Sequence, residues 1–240
     1  MTTNRKSYRA MCSCRLVECD SVKIYKAILF WFGGLFTETL AHLSKKAIFP
    51  DISGRQLVDT QIKLRSVSEQ LILGKINQVD FCQAVAEICG SGLTPEEVEI
   101  KMRAKAALNE EVFEIIGGIP QKFLRWLVVD YPEEWFFELA EGWSINSIIP
   151  DNQIILTGGM NLKKLVPDVF YHLPSSAGQA LGDCLVIDPD TSRAVTAMRH
   201  GLASIIYVYP KRLIHELALQ GIWKTDEDVM HPTSSERVNI

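Results

Sequence analysis

The chain has 240 residues, 47% of them apolar and 22% charged, which is the balance of an ordinary folded protein and excludes disordered and low-complexity classes. Its net charge is −4 and its pI near 5.8, with no Lys/Arg stripe, so no nucleic-acid partner is expected. The longest strongly apolar run, Ala27 to Phe36, is far short of the roughly 20 residues a spanning helix needs, so no membrane partner is expected either.

Residues 1–21 lack apolar periodicity and are expected to form an extension outside the fold. They carry Arg5, Lys6 and Arg9 with no apolar stretch directly after them, so no secretory leader is read and the cytoplasm is the default expectation. Three of the six cysteines, Cys12, Cys14 and Cys19, crowd into this extension. Three thiolates without a nearby histidine fall one ligand short of a zinc site, which leaves metal binding and incidental placement both open.

Ile24 to Phe32 is nearly continuous in apolar and β-favouring residues, the pattern of a strand covered on both faces. From residue 37 to 117 the period becomes helical. Val58, Ile62, Val67, Leu71 and Ile72 recur at helical spacing up to Gly74. A second helix opens at Asp80-Phe81, carries Val85, Ala86, Ile88 and Cys89, and stops at Gly90-Ser91-Gly92. Cys82 and Cys89 read as small core residues there. Thr94-Pro95-Glu96-Glu97 combines an N-cap hydroxyl, proline at the first helical position and glutamate three residues after the cap. A further helix is expected over Asn109 to Ile116.

Strands then alternate with helices. Strands are predicted at Phe123–Val129, Gln153–Leu156, Cys184–Ile187 and Ala203–Val208. Helices are predicted at Glu133–Ala140, Val169–Leu173, Gly178–Leu181, Ser192–His200 and Leu213–Leu219. This alternation implies right-handed crossovers and a mostly parallel sheet. The expected class is α/β, a Rossmann-like parallel sheet with helices on both faces, plus a small all-helical domain. The sheet domain takes residues 22–36 and 118–222, the helical insertion 37–117, and a polar tail 223–240.

Parallel strands bring their carboxyl ends to one edge, where ligands bind. The first such end reads Phe30-Trp31-Phe32-Gly33-Gly34. It resembles the first motif of haloacid dehalogenase-like (HAD) hydrolases, where Phe-Asp-Phe-Gly-Gly is common. Leu127-Val-Val-Asp-Tyr-Pro-Glu-Glu-Trp135 resembles the second motif, a Ser or Thr followed by Asn or Asp. Lys164-Leu-Val-Pro167-Asp-Val-Phe170 is similar to the stretch carrying the third-motif lysine. Leu185-Val-Ile-Asp188, an Ala-rich helix and Gly201 resemble the fourth, metal-binding motif. Gly74-Lys75-Ile76 before Asp80-Phe81, and Leu93 to Glu97, resemble the small helical cap inserted after the first motif. The resemblance runs from Lys26 to about Leu219.

It implies a HAD-like core and the displacement of phosphoryl or halide groups by an aspartate, with magnesium, a hydroxyl and a lysine assisting. At the nucleophile's position this chain has Trp31, whose indole can neither attack phosphorus nor bind magnesium. At the hydroxyl's position it has Val129, followed by Asp130; Gly33 offers only its backbone. Lys164 reads as an anion binder, a surface lysine or a partner for Asp188. Asp188 keeps its place, but Pro189 stands where the resemblance implies a second acid, so Asp188 and Asp190 are the remaining metal-ligand candidates and make a poor site for a hard ion. Salt bridging or loop capping by Asp188 is the competing reading. Trp31 is expected to pack between the sheet edge and the cap.

Together, Trp31, Val129 and Pro189 point to a hydrolase-shaped protein that no longer turns over substrate and needs no cofactor. Such a protein would bind a small phosphorylated ligand or a protein partner. The alternative is an active hydrolase using magnesium and an atypical acid such as Asp130 or Asp190. A structural subunit pairing through its cap is a third reading.

Overall fold

Five consecutive apolar residues, Ala27–Trp31, form β1, and all five are buried. The structure, a computed structural model, describes residues 25–49, 55–160 and 168–223; Cys12, Cys14, Cys19 and Lys164 lie outside them. The other strands are β2 (Leu124–Val129), β3 (Ile154–Leu156), β4 (Cys184–Asp188) and β5 (Ala203–Ile206). All pair in parallel, in the order β3-β2-β1-β4-β5. Ala27 stands level with Leu124 on one side and Cys184 on the other, and Trp31 is level with Val128.

Between β1 and β2 come α1 (Leu40–Ile48), α2 (Arg55–Ile72), α3 (Gln78–Cys89) and α4 (Pro95–Lys105), which pack on one another as a bundle. Local chemistry sets their starts. Asn77 caps α3 by accepting from Asp80 N–H at 2.8 Å. Thr94 and Glu97 form a complete capping box on α4. Next comes α5 (Glu110–Gly118), which contacts α9 (Pro210–Leu219); α6 (Glu133–Gly142), α7 (Asp168–Ser176) and α8 (Thr191–Arg199) complete the crossovers.

Alternation along β1 divides the core. Ile28 and Phe30, with Phe32 beyond the strand, join the larger cluster, which includes Phe136 of α6, Ile116 of α5, Leu217 of α9 and the bundle's interior. Ala27, Leu29 and Trp31 join the second, with Val128, Val186, Phe170 of α7 and Ala197 of α8. The sheet therefore has helices on both faces, as the sequence pattern implies.

Most elements keep their place with ends shifted by one to three residues, and the differences near the end of the chain have plain causes. No helix forms over Gly178–Leu181: Gly178 takes φ +62°, which ends the preceding helical turn, and a short 3-10 turn follows at Leu181–Asp183. The last strand stops at Ile206 rather than Val208. The last helix begins at Pro210, three residues early, with proline at its first position, where a missing N–H costs nothing. Among the described residues, no helix is long and apolar enough to cross a membrane.

Candidate functional site

The chain builds the sheet outward from β1 to β2 and β3, then returns past β1 to lay down β4 and β5. The order therefore reverses between β1 and β4, and the crevice beyond their carboxyl ends is the favoured ligand position in such sheets. Trp31 is the last residue of β1, Asp188 the last of β4, and Asp130 lies one past β2.

Trp31 is completely buried, its ring tilted against Phe170 at 6.5 Å between centroids. Its Nε1–H donates to Asp130 Oδ2 at 2.7 Å, while Gly33 N–H donates to Asp130 Oδ1 at 2.8 Å. A buried carboxylate, 4% exposed, thus receives two neutral donors from the end of β1. Glycine at 33 leaves room for this bond, since a Cβ there would lie 2.6 Å from Asp130 Oδ1. Gly34, at φ +88°, closes the turn against Pro189, whose Cγ a Cβ would meet at 2.8 Å. Tyr131 ties the next residue down: its hydroxyl donates to the Glu38 carbonyl at 2.6 Å, and burial pushes its phenol well above the usual value.

Asp188 is also completely buried. Arg193, in the first turn of α8, grips it with two parallel bonds, Nε–H to Oδ2 and Nη2–H to Oδ1, both at 2.8 Å. Asp190 N–H adds a third bond to Oδ1 at 2.7 Å. The guanidinium carbon lies 4.3 Å from the centroid of the Trp31 ring, within cation–π range. Burial raises the Asp188 carboxyl above its ordinary range against the pull of Arg193. On Arg193, burial works against the charge. Asp188 outweighs it, with Asp130 and Asp190 adding to the effect, and holds the guanidinium above its usual pKa. The Asp190 side chain accepts from Arg193 N–H at 2.9 Å as the cap of α8, and it pairs with Arg65 of α2.

Gly33, Asp130, Asp188 and Asp190 therefore meet around Trp31. Val129 does not join them: its side chain lies in the cluster on the opposite sheet face, and its carbonyl accepts from Thr157 Oγ1 at 2.8 Å. Trp31 lies against the sheet face shared with α7 and α8, and the end of α2 reaches the same cluster through Ile72 and Leu73. A cavity of about 420 Å³ opens beside this group, lined among others by Thr39, Leu40, Arg65, Ser68, Asp130 and Arg193.

Magnesium would ask this site for several oxygens at about 2.0–2.1 Å. Among the described residues, no three His, Cys, Asp or Glu side chains gather closely enough to hold a metal. Asp188 is held by a guanidinium, Asp190 by Arg65 and its helix, Asp130 by Trp31 and Gly33, and Pro189 has no side-chain oxygen. This donor set does not fit the ion.

Sequence reasoning missed Arg193 and Arg65. One local signal existed for Arg193. Asp188-Pro-Asp-Thr-Ser-Arg193 opens a helix with a cation in its first turn, where the helix dipole favours an acid.

Neither a protein-family model nor a curated relative matches the sequence. Solved structures do match. A predicted HAD-like family hydrolase of Porphyromonas gingivalis aligns with a TM-score of 0.62 at 18% identity, over 84% of this chain and 100% of that one. A HAD-family enzyme of Bacteroides thetaiotaomicron, in complex with magnesium and inorganic phosphate, aligns at 0.58 and 15% identity, over 77% and 94%. The L-2-haloacid dehalogenase of Xanthobacter autotrophicus, with chloropropionic acid covalently bound, aligns at 0.59 and 14%, over 84% and 85%. The fold is that of the HAD enzymes. The order of motifs in the sequence and the strand order of the sheet agree on this. At such identities the likeness carries the HAD architecture, and the chemistry rests on the residues present.

Proposed function

We propose that this HAD-fold protein does not turn over substrate at its strand-end site and acts by binding a small phosphorylated ligand in the adjoining cleft. The observation that carries the reading is the Trp31 indole, fully buried and bonded to Asp130 at the position the motif resemblance gives to the nucleophile. Displacement through a covalent intermediate needs a carboxylate oxygen free to attack. Asp130 and Asp188, the two buried carboxylates nearby, are both engaged by this chain's own donors. Parts that act as a unit lose nearly all rate when several are missing, and Trp31, Val129 and Pro189 replace three of them.

An anionic ligand is supported by the hydroxyls of Thr39 and Ser192 on the cavity wall and by the outer edges of Arg65 and Arg193, which also hold Asp190 and Asp188. The first turns of α1 and α8 also border the cavity through Leu40, Ala41 and Ser192. Two of the acids on the same wall, Asp130 and Asp190, already have partners, and the third, Glu69, is exposed.

A panel of phosphate monoesters and 2-haloacids with magnesium is expected to give background rates. Robust turnover that Asp188→Ala abolishes would overturn the proposal. Calorimetric titration with the same phosphate esters reads the binding half, and the absence of any bound ester would leave only the fold.

A further inference from the structure

We infer that Arg193 is a built-in cation standing where a metal's charge would otherwise be required, so that the site is closed without a divalent ion and gains affinity for one when the guanidinium is removed. This rests on the silent-site reading above and names what keeps the site silent.

Charge placement carries it. Asp188 is fully buried and Asp130 nearly so. Two buried carboxylates in one crevice need a positive charge nearby, because an uncompensated buried charge is strongly disfavoured. Asp130 receives hydrogen bonds only from neutral groups, Trp31 Nε1–H and Gly33 N–H. Asp188 receives the guanidinium itself in fork geometry, which suits a planar carboxylate better than any point cation.

Helix electrostatics do not explain that cation. It sits in the first turn of α8, where a positive charge is disfavoured. The carboxylates put it there, and the Trp31 ring supports its open face at 4.3 Å. The two substitutions complement each other. An aspartate at position 31 would add a third negative charge and supply a metal oxygen. The tryptophan removes that charge, donates to Asp130 and offers a π surface on which an organic cation rests. Arg65, pairing with Asp190, screens the remaining acid from the bundle side.

The test is thermal unfolding and calorimetry with magnesium chloride against EDTA, on the full chain. Wild type is expected to melt at one temperature in both and to show no magnesium heat. Arg193→Met is expected to melt about 10 °C lower, the usual effect of breaking a buried pair in a chain this size. Magnesium should then recover part of that loss, with binding visible by calorimetry. Arg193→Lys keeps a charge and is expected to remain indifferent to magnesium. Where Arg193→Met does not fold, Arg193→Gln decides, since its amide can still hydrogen-bond Asp188 without the charge: a folded protein that magnesium stabilises supports the inference. A magnesium-stabilised wild type would overturn it, as would a folded Arg193→Met or Arg193→Gln blind to magnesium. None of these readouts measures turnover, so a catalytically active wild type would refute the silent-site reading while the metal response stands or falls separately.

Discussion

Replacing Trp31 by phenylalanine isolates one interaction at the centre of the site. Phenylalanine keeps an aromatic ring on the sheet face with Phe170 but removes the N–H that donates to Asp130 at 2.7 Å. A hydrogen bond to a charged group is worth about 1.5–3 kcal/mol, and Asp130, being 4% exposed, has little water to replace it. The smaller ring also leaves a void, adding about 1 kcal/mol at roughly 24 cal/mol per Å³. The sum, about 2.5–4 kcal/mol, lowers the melting temperature by about 5–15 °C. Urea unfolding followed by far-ultraviolet circular dichroism measures it without relying on tryptophan emission. Repeating the change in an Asp130→Ala background gives the decisive comparison, because there only the void term of about 1 kcal/mol remains. An equal cost in both backgrounds would refute the claim that Trp31 and Asp130 are coupled.

Other consequences follow from the same geometry. Gly33→Ala forces a Cβ to within 2.6 Å of Asp130 Oδ1 and is expected to cost about 1–3 kcal/mol by chemical denaturation; a neutral result would mean Asp130 is free to move. Burial is the chief cause that pushes the Cys82 thiol from 9.0 up to about 12 and the Cys184 thiol up to about 11. The unfolded chain releases these protons first, so stability falls as pH rises from about 9 towards those values, and Cys82→Ala should flatten that slope in urea midpoints. Trp31→Asp supplies a carboxylate but leaves Arg193 on Asp188, so it is expected to stay indifferent to magnesium by calorimetry, with phosphatase rates at background because Val129 and Pro189 remain. Substantial turnover in that variant would show that a single residue silences the site.

The parts of the fold legible in the sequence are those written in local chemistry. Ile24 to Phe32 announces a doubly covered strand by composition alone, and within it Ala27–Trp31 is the fully buried central strand. Thr94, Pro95 and Glu97 announce the start of α4 because capping involves neighbours in sequence. The order of the motif-like ends of β1, β2 and β4 also fits the HAD architecture. The site was less legible because its bonds join distant segments. Trp31 and Asp130 are 99 positions apart, and Arg65 and Asp190 are 125 apart. Trp31 could be flagged as odd, but nothing near it in sequence named its hydrogen-bond acceptor. Arg193 shows in the sequence only as a cation in a helix's first turn, because its grip on Asp188 depends on the turn through Pro189 and Asp190. Gly178 misled for a simpler reason: apolar spacing continues past it, but its left-handed backbone does not.

The central claim is that this chain's own side chains fill the place where a HAD enzyme's reaction would occur. A crystal structure of the wild-type protein grown with magnesium and phosphate tests it most directly. The account predicts Trp31 bonded to Asp130, Arg193 forked onto Asp188, and no ion between them. A magnesium ion on Asp188, with Trp31 or Arg193 turned away, would contradict it.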